Sequence, residues 1–247
     1  MKQIIGSSIE RLQETGSTNN YAATLLLTKR LPEGVVFVAD SQVDGRGQTT
    51  NKWESEPNMN LTFSILLFPE FMEISRQFGL SKAMSLGVVD FLREMTEEVT
   101  IKWPNDIYIG KKKVAGILIE NSVRLAKISS CIVGIGLNIN QLTFSGNLLN
   151  PVSLRQVTGK IYDLETTLTS LCLKIDHRYQ QLRNQEFRQI DENYTQLLYQ
   201  HGLWSRYSDK EGDFEGRILG IDQIGRLLIE TSSGKINKYH FKEVSFK

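Results

Sequence analysis

The chain has 247 residues, 40% of them hydrophobic and 23% charged, with a formal net charge of +1. Such a make-up describes a globular protein with room for one large domain and a small one. The near-neutral balance excludes bulk electrostatic attraction to nucleic acid or membrane, and no apolar run approaches the roughly 18 residues of a membrane helix.

The first residues, MKQIIGSSIERL, lack the apolar core and cleavage site of a signal peptide. Ser17-Thr18-Asn19 precedes an apolar stretch from Tyr21 to Leu27 and reads as a helix N-terminus with a hydroxyl cap. Residues 35–39, VVFVA, form a short β-branched and aromatic run, the pattern of a buried strand. Residues 40–60 are polar, contain glycine and lack periodicity, so a long loop is expected, and loops of that length in compact domains carry function or are disordered. Residues 61–68 read as another strand. From Ile74 to Met95 the apolar positions Phe78, Ala83, Met84, Val88, Phe91 and Leu92 recur near helical spacing. Residues 99–103 and 107–109 read as strands on either side of a Pro104-Asn105-Asp106 turn. Gly110-Lys111-Lys112 turns the chain into a strand over 114–120, and one more strand covers 128–139.

Two amphipathic helices follow. Leu164, Leu168, Leu171, Ile175 and Tyr179 mark the first, and Phe187, Ile190, Tyr194 and Leu197 or Leu198 the second, which ends at Gly202. Residues 207–247 then hold short alternating strands with turns at 209–212, 220–225 and 232–234, the spacing of a small β-barrel of about five strands. The chain is therefore expected to be an α+β domain over residues 1–204 with a compact β module over 205–247. Cys131 falls in a strand pattern and Cys172 in a helical one, as packing residues do in a reducing, cytoplasmic compartment. His177, His201 and His240 are widely spaced and near no cysteine, which argues against a zinc site.

Four constellations carry chemistry. In residues 42–53, QVDGRGQTTNKW, Gly45 and Gly47 let backbone amides approach a ligand, and the planar fork of Arg46 pairs with carboxylate or phosphate. By itself such a loop also fits a plain surface loop, and no P-loop motif occurs. In Lys102-Trp103-Pro104-Asn105-Asp106, Pro104 biases Trp103 toward an extended conformation. Lys102 is a point charge for phosphates, and Asn105 and Asp106 have the oxygen atoms to orient a phosphate or hold Mg²⁺, although Pro-Asn-Asp is equally a turn signal. Lys113, followed by Val114-Ala115-Gly116, sits at the mouth of a core or in solvent; in the first case a lower effective dielectric strengthens its charge. In Gly134-Ile135-Gly136-Leu137-Asn138 the glycines leave room against a strand, and Asn138 has the groups to bond a base or phosphate, or simply ends a strand.

The order of these motifs is more specific than any one of them. S-T-N, G-R-G-x-x-x-N-x-W, K-W-P-N-D, K-V-A-G-I-L-x-E and G-x-G-x-N, spread over most of residues 15–140, resemble the catalytic domain of biotin–protein ligases, and residues 214–230, FEGRILGIDQIGRLLIE, resemble that family's C-terminal SH3-like module. The resemblance implies a mixed central β-sheet flanked by helices, related to class II aminoacyl-tRNA synthetases, and ATP-dependent biotinylation of a biotin carboxyl carrier protein with Mg²⁺. It implies that Ser17, Thr18 and Asn19 bond the ureido ring of biotin, with Gln42 nearby, and that Gly45, Arg46, Gly47 and Gln48 form the loop over biotin and the adenylate. Asn51 and Trp53 would lie on the adenine side, Lys113 at the biotin carboxylate and reacting phosphate, and Gly116 and Gly136 along the biotin pocket. Lys102, Asn105, Asp106 and Asn138 would attend the ATP phosphates, Mg²⁺ (Asp106) or adenine. Arg46 and Lys113 are the catalytic candidates.

Two departures stand out. Many family members carry arginine at the position of Gln48, and glycine at that of Thr50; an amide holds an anionic phosphate less well than a guanidinium does. Some carry an N-terminal helix-turn-helix, for which the sixteen or so residues before Ser17 are too few, so a monofunctional enzyme without DNA binding is expected. The rival readings are a lipoate–protein ligase or octanoyl transferase of the same superfamily, and a non-catalytic biotin-sensing module. A free strand edge would suit a homodimer or strand pairing with the acceptor.

Overall fold

The computed structural model describes residues 2–48, 51–146, 148 and 150–247. In chain order the first part comprises β1 (Ile9–Thr15), α1 (Thr18–Thr28), β2 (Val36–Gln42), β3 (Leu61–Leu67), α2 (Phe78–Leu92), β4 (Val99–Lys102), β5 (Asp106–Ile109), β6 (Lys112–Arg124) and β7 (Lys127–Leu137), then α3 (Leu154–Thr158), α4 (Leu164–Arg183) and α5 (Phe187–Gln196). The seven strands form one sheet in the order β1-β2-β3-β7-β6-β5-β4. Only β1 and β2 run parallel, so the sheet is mixed.

Helix α2 is apolar on nearly every side and lies in the core, packed against α4, α5 and strands β4–β6, as a helix without a polar face must be. The buried positions Leu168, Leu171, Ile175, Tyr179 and Leu182 of α4 recur at helical spacing and form the stripe that faces it. Helix α1 covers the opposite face at β2, β3 and β7, where Ala22 packs with Phe37, Leu66 and Ile132. Both cysteines are buried and unpaired.

Several local expectations shift. Strand β1 has no counterpart in the sequence pattern, because its residues are mostly exposed and its apolar positions do not alternate. Ser17 occupies the cap position of α1, but its hydroxyl makes no capping bond. The apolar stretch from Ile74 to Met95 divides into a short 3-10 turn at Ile74–Arg76 and α2. The loop expected over 40–60 starts later, since β2 runs on to Gln42.

After residue 203 come β8 (Trp204–Asp209), β9 (Gly212–Ile221), β10 (Leu227–Thr231), β11 (Ile236–Tyr239) and β12 (Ser245–Phe246). They form an antiparallel sheet in the order β11-β10-β9-β8-β12. The strands number five, as expected, but no pairing between β11 and β12 closes them into a barrel among the described residues. This sheet docks on the first part through the Trp103 indole, which donates to the Gly225 carbonyl at 2.9 Å. Gly225 has φ +94°, and a Cβ there would lie 2.6 Å from the Phe78 ring, so the contact requires glycine. No helix among the described residues is long and apolar enough to cross a membrane.

Candidate active site

Register across the central sheet builds the floor of a cleft. On the face that carries α1, Ala39, Thr62, Gly136, Gly116, Asp106 and Lys102 follow one another as directly paired neighbours across six strands. The adjacent row runs Phe37, Ser64, Gly134 and Leu118. Paired residues share a face, so small and polar side chains open a trough where the rest of the sheet is covered. Its walls are the start of α1, residues 46–48 and 51–53, and the C-terminal part, which contributes Phe241, Lys242, Val244, Ser245 and Phe246. The trough holds about 510 Å³.

At one end, Ser17, Thr18 and Asn19 are all but buried. The Thr18 amide donates to Gln42 Oε1 at 2.9 Å, and the Ser64 hydroxyl lies 2.7 Å from Thr18 Oγ1 and 2.6 Å from Asn19 Oδ1. Asn19 Nδ2 donates to Glu120 Oε2 at 2.7 Å, and the same oxygen accepts from Arg46 Nη2 at 2.5 Å. Glu120 therefore ties the glycine loop to the first turn of α1. The result is an array of amide and hydroxyl groups suited to a neutral, hydrogen-bonding ring, with a guanidinium at its rim.

A β-bulge aims Lys113. Ile107 faces Ala115 and Tyr108 faces Lys113, which leaves Val114 as the extra residue. Strict alternation would put Lys113 on the same side as Ala115, in the core; the bulge returns it to the cleft face. Its ammonium lies 2.7 Å from Asp106 Oδ1 and 5.8 Å from the Trp53 ring centre. The Trp53 indole lies across the glycine floor: a Cβ on Gly136 would overlap it, and one on Gly116 would sit 3.3 Å from its Cζ3. The indole N–H is buried without a hydrogen-bond partner among the described residues. A short hairpin holds this ring in place, with Trp53 N bonded to Gly45 O at 2.9 Å and Gly47 N to Asn51 O at 2.7 Å.

The turn at 102–106 has mixed roles. The Trp103–Pro104 peptide is cis. Asn105 is clamped to β6, its side-chain amide donating to Ile117 O at 2.5 Å and its carbonyl accepting from Ile117 N at 3.0 Å. Lys102 is half-buried; burial lowers its pKa below the ordinary lysine value, Asp106 opposes this and Lys113 adds to it. Burial likewise pushes the Tyr108 hydroxyl up to about 12.

The cleft thus brings together Ser17, Thr18, Asn19, Gln42, Arg46, Gly47, Gln48, Asn51, Trp53, Lys102, Asn105, Asp106, Lys113, Gly116 and Gly136. Two of the residues singled out in the sequence do not line it. Gly45 is buried beneath the hairpin against Gln42 and Trp53. Asn138 is buried just past the end of β7, its Nδ2 donating to Val152 O at 3.1 Å while its Oδ1 has no partner among the described residues. Thr50 lies outside the described residues. Sequence reasoning passed over Thr62, Ser64, Glu120 and the C-terminal residues. Thr62 and Ser64 alternate with buried Leu61, Phe63 and Ile65, a signal of one non-core face; nothing local marks Lys242 or Phe246.

The electrostatics are one-sided. Arg46, Lys52, Lys102, Lys113 and Lys242 line the cleft, and three carboxylates, Glu120, Asp44 and Asp106, pair with the first, second and fourth of them, which leaves an excess of positive charge among the described residues. Such a focused field favours polyanionic ligands. Among the described residues no group of three or more His, Cys, Asp or Glu could hold a metal by itself. A magnesium ion held mainly by substrate phosphates needs only one or two carboxylates, so Asp106 fits that lesser role.

The chain is similar to known proteins over most of its length. The model of the biotin/lipoate A/B protein ligase family matches residues 11–138. The bifunctional ligase/repressor BirA of Bacillus subtilis is 32% identical over 222 residues, 88% of this chain and 68% of that protein. The biotin–[acetyl-CoA-carboxylase] ligase of Paracoccus denitrificans is 28% identical over 231 residues, 91% of this chain and 95% of that one. Among solved structures, the Aquifex aeolicus biotin protein ligase in complex with biotin and ATP superposes with a TM-score of 0.81 at 29% identity, covering 98% of this chain and 99% of that one.

Proposed function

The chain belongs to the biotin/lipoate A/B protein ligase family, and we propose that it is a biotin–protein ligase that activates biotin as biotinyl-5′-AMP and transfers it to a lysine of a biotin carboxyl carrier protein or domain. The observation that carries this reading is the placement of Arg46 and Lys113 on the same cleft as the hydrogen-bonding array of Ser17, Thr18 and Asn19. A neutral ureido ring suits the array, and the carboxylate at the other end of the molecule suits the cations.

In the first step an oxygen of the biotin carboxylate bonds to the α-phosphorus of ATP and pyrophosphate leaves. Anion approaches anion, so the barrier contains electrostatic repulsion. Preorganised cations at the developing charge lower it, and the position of the Lys113 ammonium beside Gly116 supports that role for it. Lys113 is paired with Asp106 and Arg46 with Glu120, at 2.7 and 2.5 Å. Substrate anions replace those carboxylates, and Asp106, once released, would supply the protein ligand for magnesium carried by the ATP phosphates, where the ion offsets phosphate charge. In the second step the acceptor amine attacks the acyl carbon and AMP leaves. Between the two steps the mixed anhydride must be kept from water, and the Trp53 indole, which lies across the glycine floor, would help to exclude it.

The test is biotin-dependent exchange of pyrophosphate into ATP without acceptor, followed by mass spectrometry of a carrier domain after addition of ATP and Mg²⁺. The expected result is exchange with biotin and a single modified lysine. Exchange with lipoate or octanoate but not biotin would overturn the substrate; carrier modification without any exchange would overturn the adenylate.

A further inference from the structure

Lys102 is held differently from its neighbours in the cleft. Arg46, Lys52 and Lys113 each meet a carboxylate: Glu120, Asp44 and Asp106. Lys102 forms no ion pair among the described residues. Its ammonium lies instead 5.1 Å from the centre of the Tyr108 ring and 5.0 Å from that of Phe246, with the Tyr108 hydroxyl at 3.3 Å. These rings are themselves braced. Tyr199 stands 5.5 Å from Tyr108 and 6.3 Å from Phe246, and Tyr207 meets Phe246 edge-on at 5.4 Å. Phe246 belongs to β12, which pairs with β8 through Tyr207, so one wall of the cage comes from the C-terminal sheet and the other from the central sheet.

The physical difference between the two ways of holding a lysine is what happens to its charge. A carboxylate partner cancels most of the field and must be displaced before a phosphate binds. Aromatic faces attract the ammonium through the ring quadrupole, restrict a long flexible side chain and add no net charge. A caged lysine therefore meets an incoming anion without first displacing a paired carboxylate. Burial lowers its pKa, and Asp106, which does not pair with it, acts in the opposite direction.

We propose that Phe246 is a positioning residue for the ligase reaction: with Tyr108 it cages the Lys102 ammonium on the cleft wall, so that the C-terminal sheet sets where that cation meets the phosphates of the nucleotide. This rests on the reading of Lys102 as a phosphate-facing residue of the proposed ligase. The alternative is apolar packing, in which Phe246 covers the methylene stem of the lysine and joins the two sheets without acting through the charge.

The test is a double-mutant cycle on the full chain, read as the KM for ATP and for biotin in biotin-dependent pyrophosphate exchange. Phe246→Leu is expected to raise the ATP KM about three- to tenfold and to leave the biotin KM within about twofold, with Phe246→Tyr restoring most of the loss. Lys102→Met is expected to raise the ATP KM at least as much, and adding Phe246→Leu to Lys102→Met to change it less than about 1.5-fold. If Phe246→Leu does not fold, Phe246→Met takes its place in the cycle. A full, multiplicative effect of the Phe246 change in the Lys102→Met background overturns the proposal and leaves packing alone. An unchanged ATP KM in Lys102→Met by itself overturns the phosphate-facing reading, and the proposal with it.

Discussion

Lys113 and Arg46 reach the cleft already paired with carboxylates, and at the scale of single residues the chemistry follows from what replaces those partners. Removing a preorganised positive group from a developing charge costs about 100- to 1,000-fold in rate, so Lys113→Ala should reduce single-turnover formation of the adenylate by about that factor. The Lys113–Asp106 pair is partly exposed, and loss of such a pair costs about 0–1 kcal/mol, so the urea midpoint should move little. A large loss of stability would mean that the lysine serves the fold instead. Gln48 is a neutral amide among these cations. It lines the cleft, and its Oε1 is buried without a partner among the described residues. A guanidinium there would hold a phosphate through charge-assisted bonds, and Gln48→Arg should slow release of free biotinyl-5′-AMP by about fivefold, followed by chromatography of the intermediate. Unchanged leakage would show that Gln48 does not face the adenylate.

Elements act through their register. The cleft floor exists because Gly116 and Gly136 pair directly, leaving space that the Trp53 indole fills. The two glycines are not equivalent. A Cβ on Gly136 overlaps the indole, whereas one on Gly116 meets its nearest atom at 3.3 Å, tight but within reach of a small adjustment. Gly136→Ala should therefore expel Trp53 and raise the biotin KM about tenfold or more, while Gly116→Ala should have the milder effect. Acrylamide quenching of indole fluorescence, with Trp53→Phe as the reference, reads the displacement; equal quenching in Gly136→Ala and the parent chain would contradict it. The same logic of register applies to the bulge at Val114, because a one-residue slip in a strand exchanges its two faces.

Over the whole molecule the cleft is a joint between two sheets. The central sheet supplies the floor, and the C-terminal sheet supplies Phe246, Phe241 and Lys242 along one wall. The bond from Trp103 to Gly225 fastens them, with the Trp103 and Phe241 rings edge-on at 6.3 Å beside it. Trp103→Phe keeps most of the ring packing but strands the Gly225 carbonyl. It should lower the unfolding free energy by about 1–3 kcal/mol in urea melts and speed amide exchange in β9 and β10 more than in β3 and β7. Uniform protection across both sheets would show that the joint carries little coupling.

Local pattern was enough for the strands β2 to β7, for the amphipathic α4 and α5, and for the five short strands after residue 203, since hydrophobic period and turn residues are properties of neighbouring positions. For the cleft, local pattern was not enough: each motif by itself also fitted a helix cap, a surface loop, a turn or a strand end, and Ser17 to Asn19, Arg46, Trp53, Lys102 to Asp106, Lys113 and the glycine pair became legible together only through the order of their motifs and the family which that order resembles. What only the tertiary structure decided depends on distant contacts. Asn138 sits in a motif, yet its side-chain amide donates to the Val152 carbonyl and does not line the cleft. Ser64 and Glu120 gain roles only when β3 and β6 come beside α1 and the glycine loop. β1 forms because β2 offers it an edge, not because its own residues alternate. Lys113 is the sharpest case. In sequence it stands at a position that alternation assigns to the core, and only the pairing of β5 with β6, which skips Val114, turns its charge into the cleft.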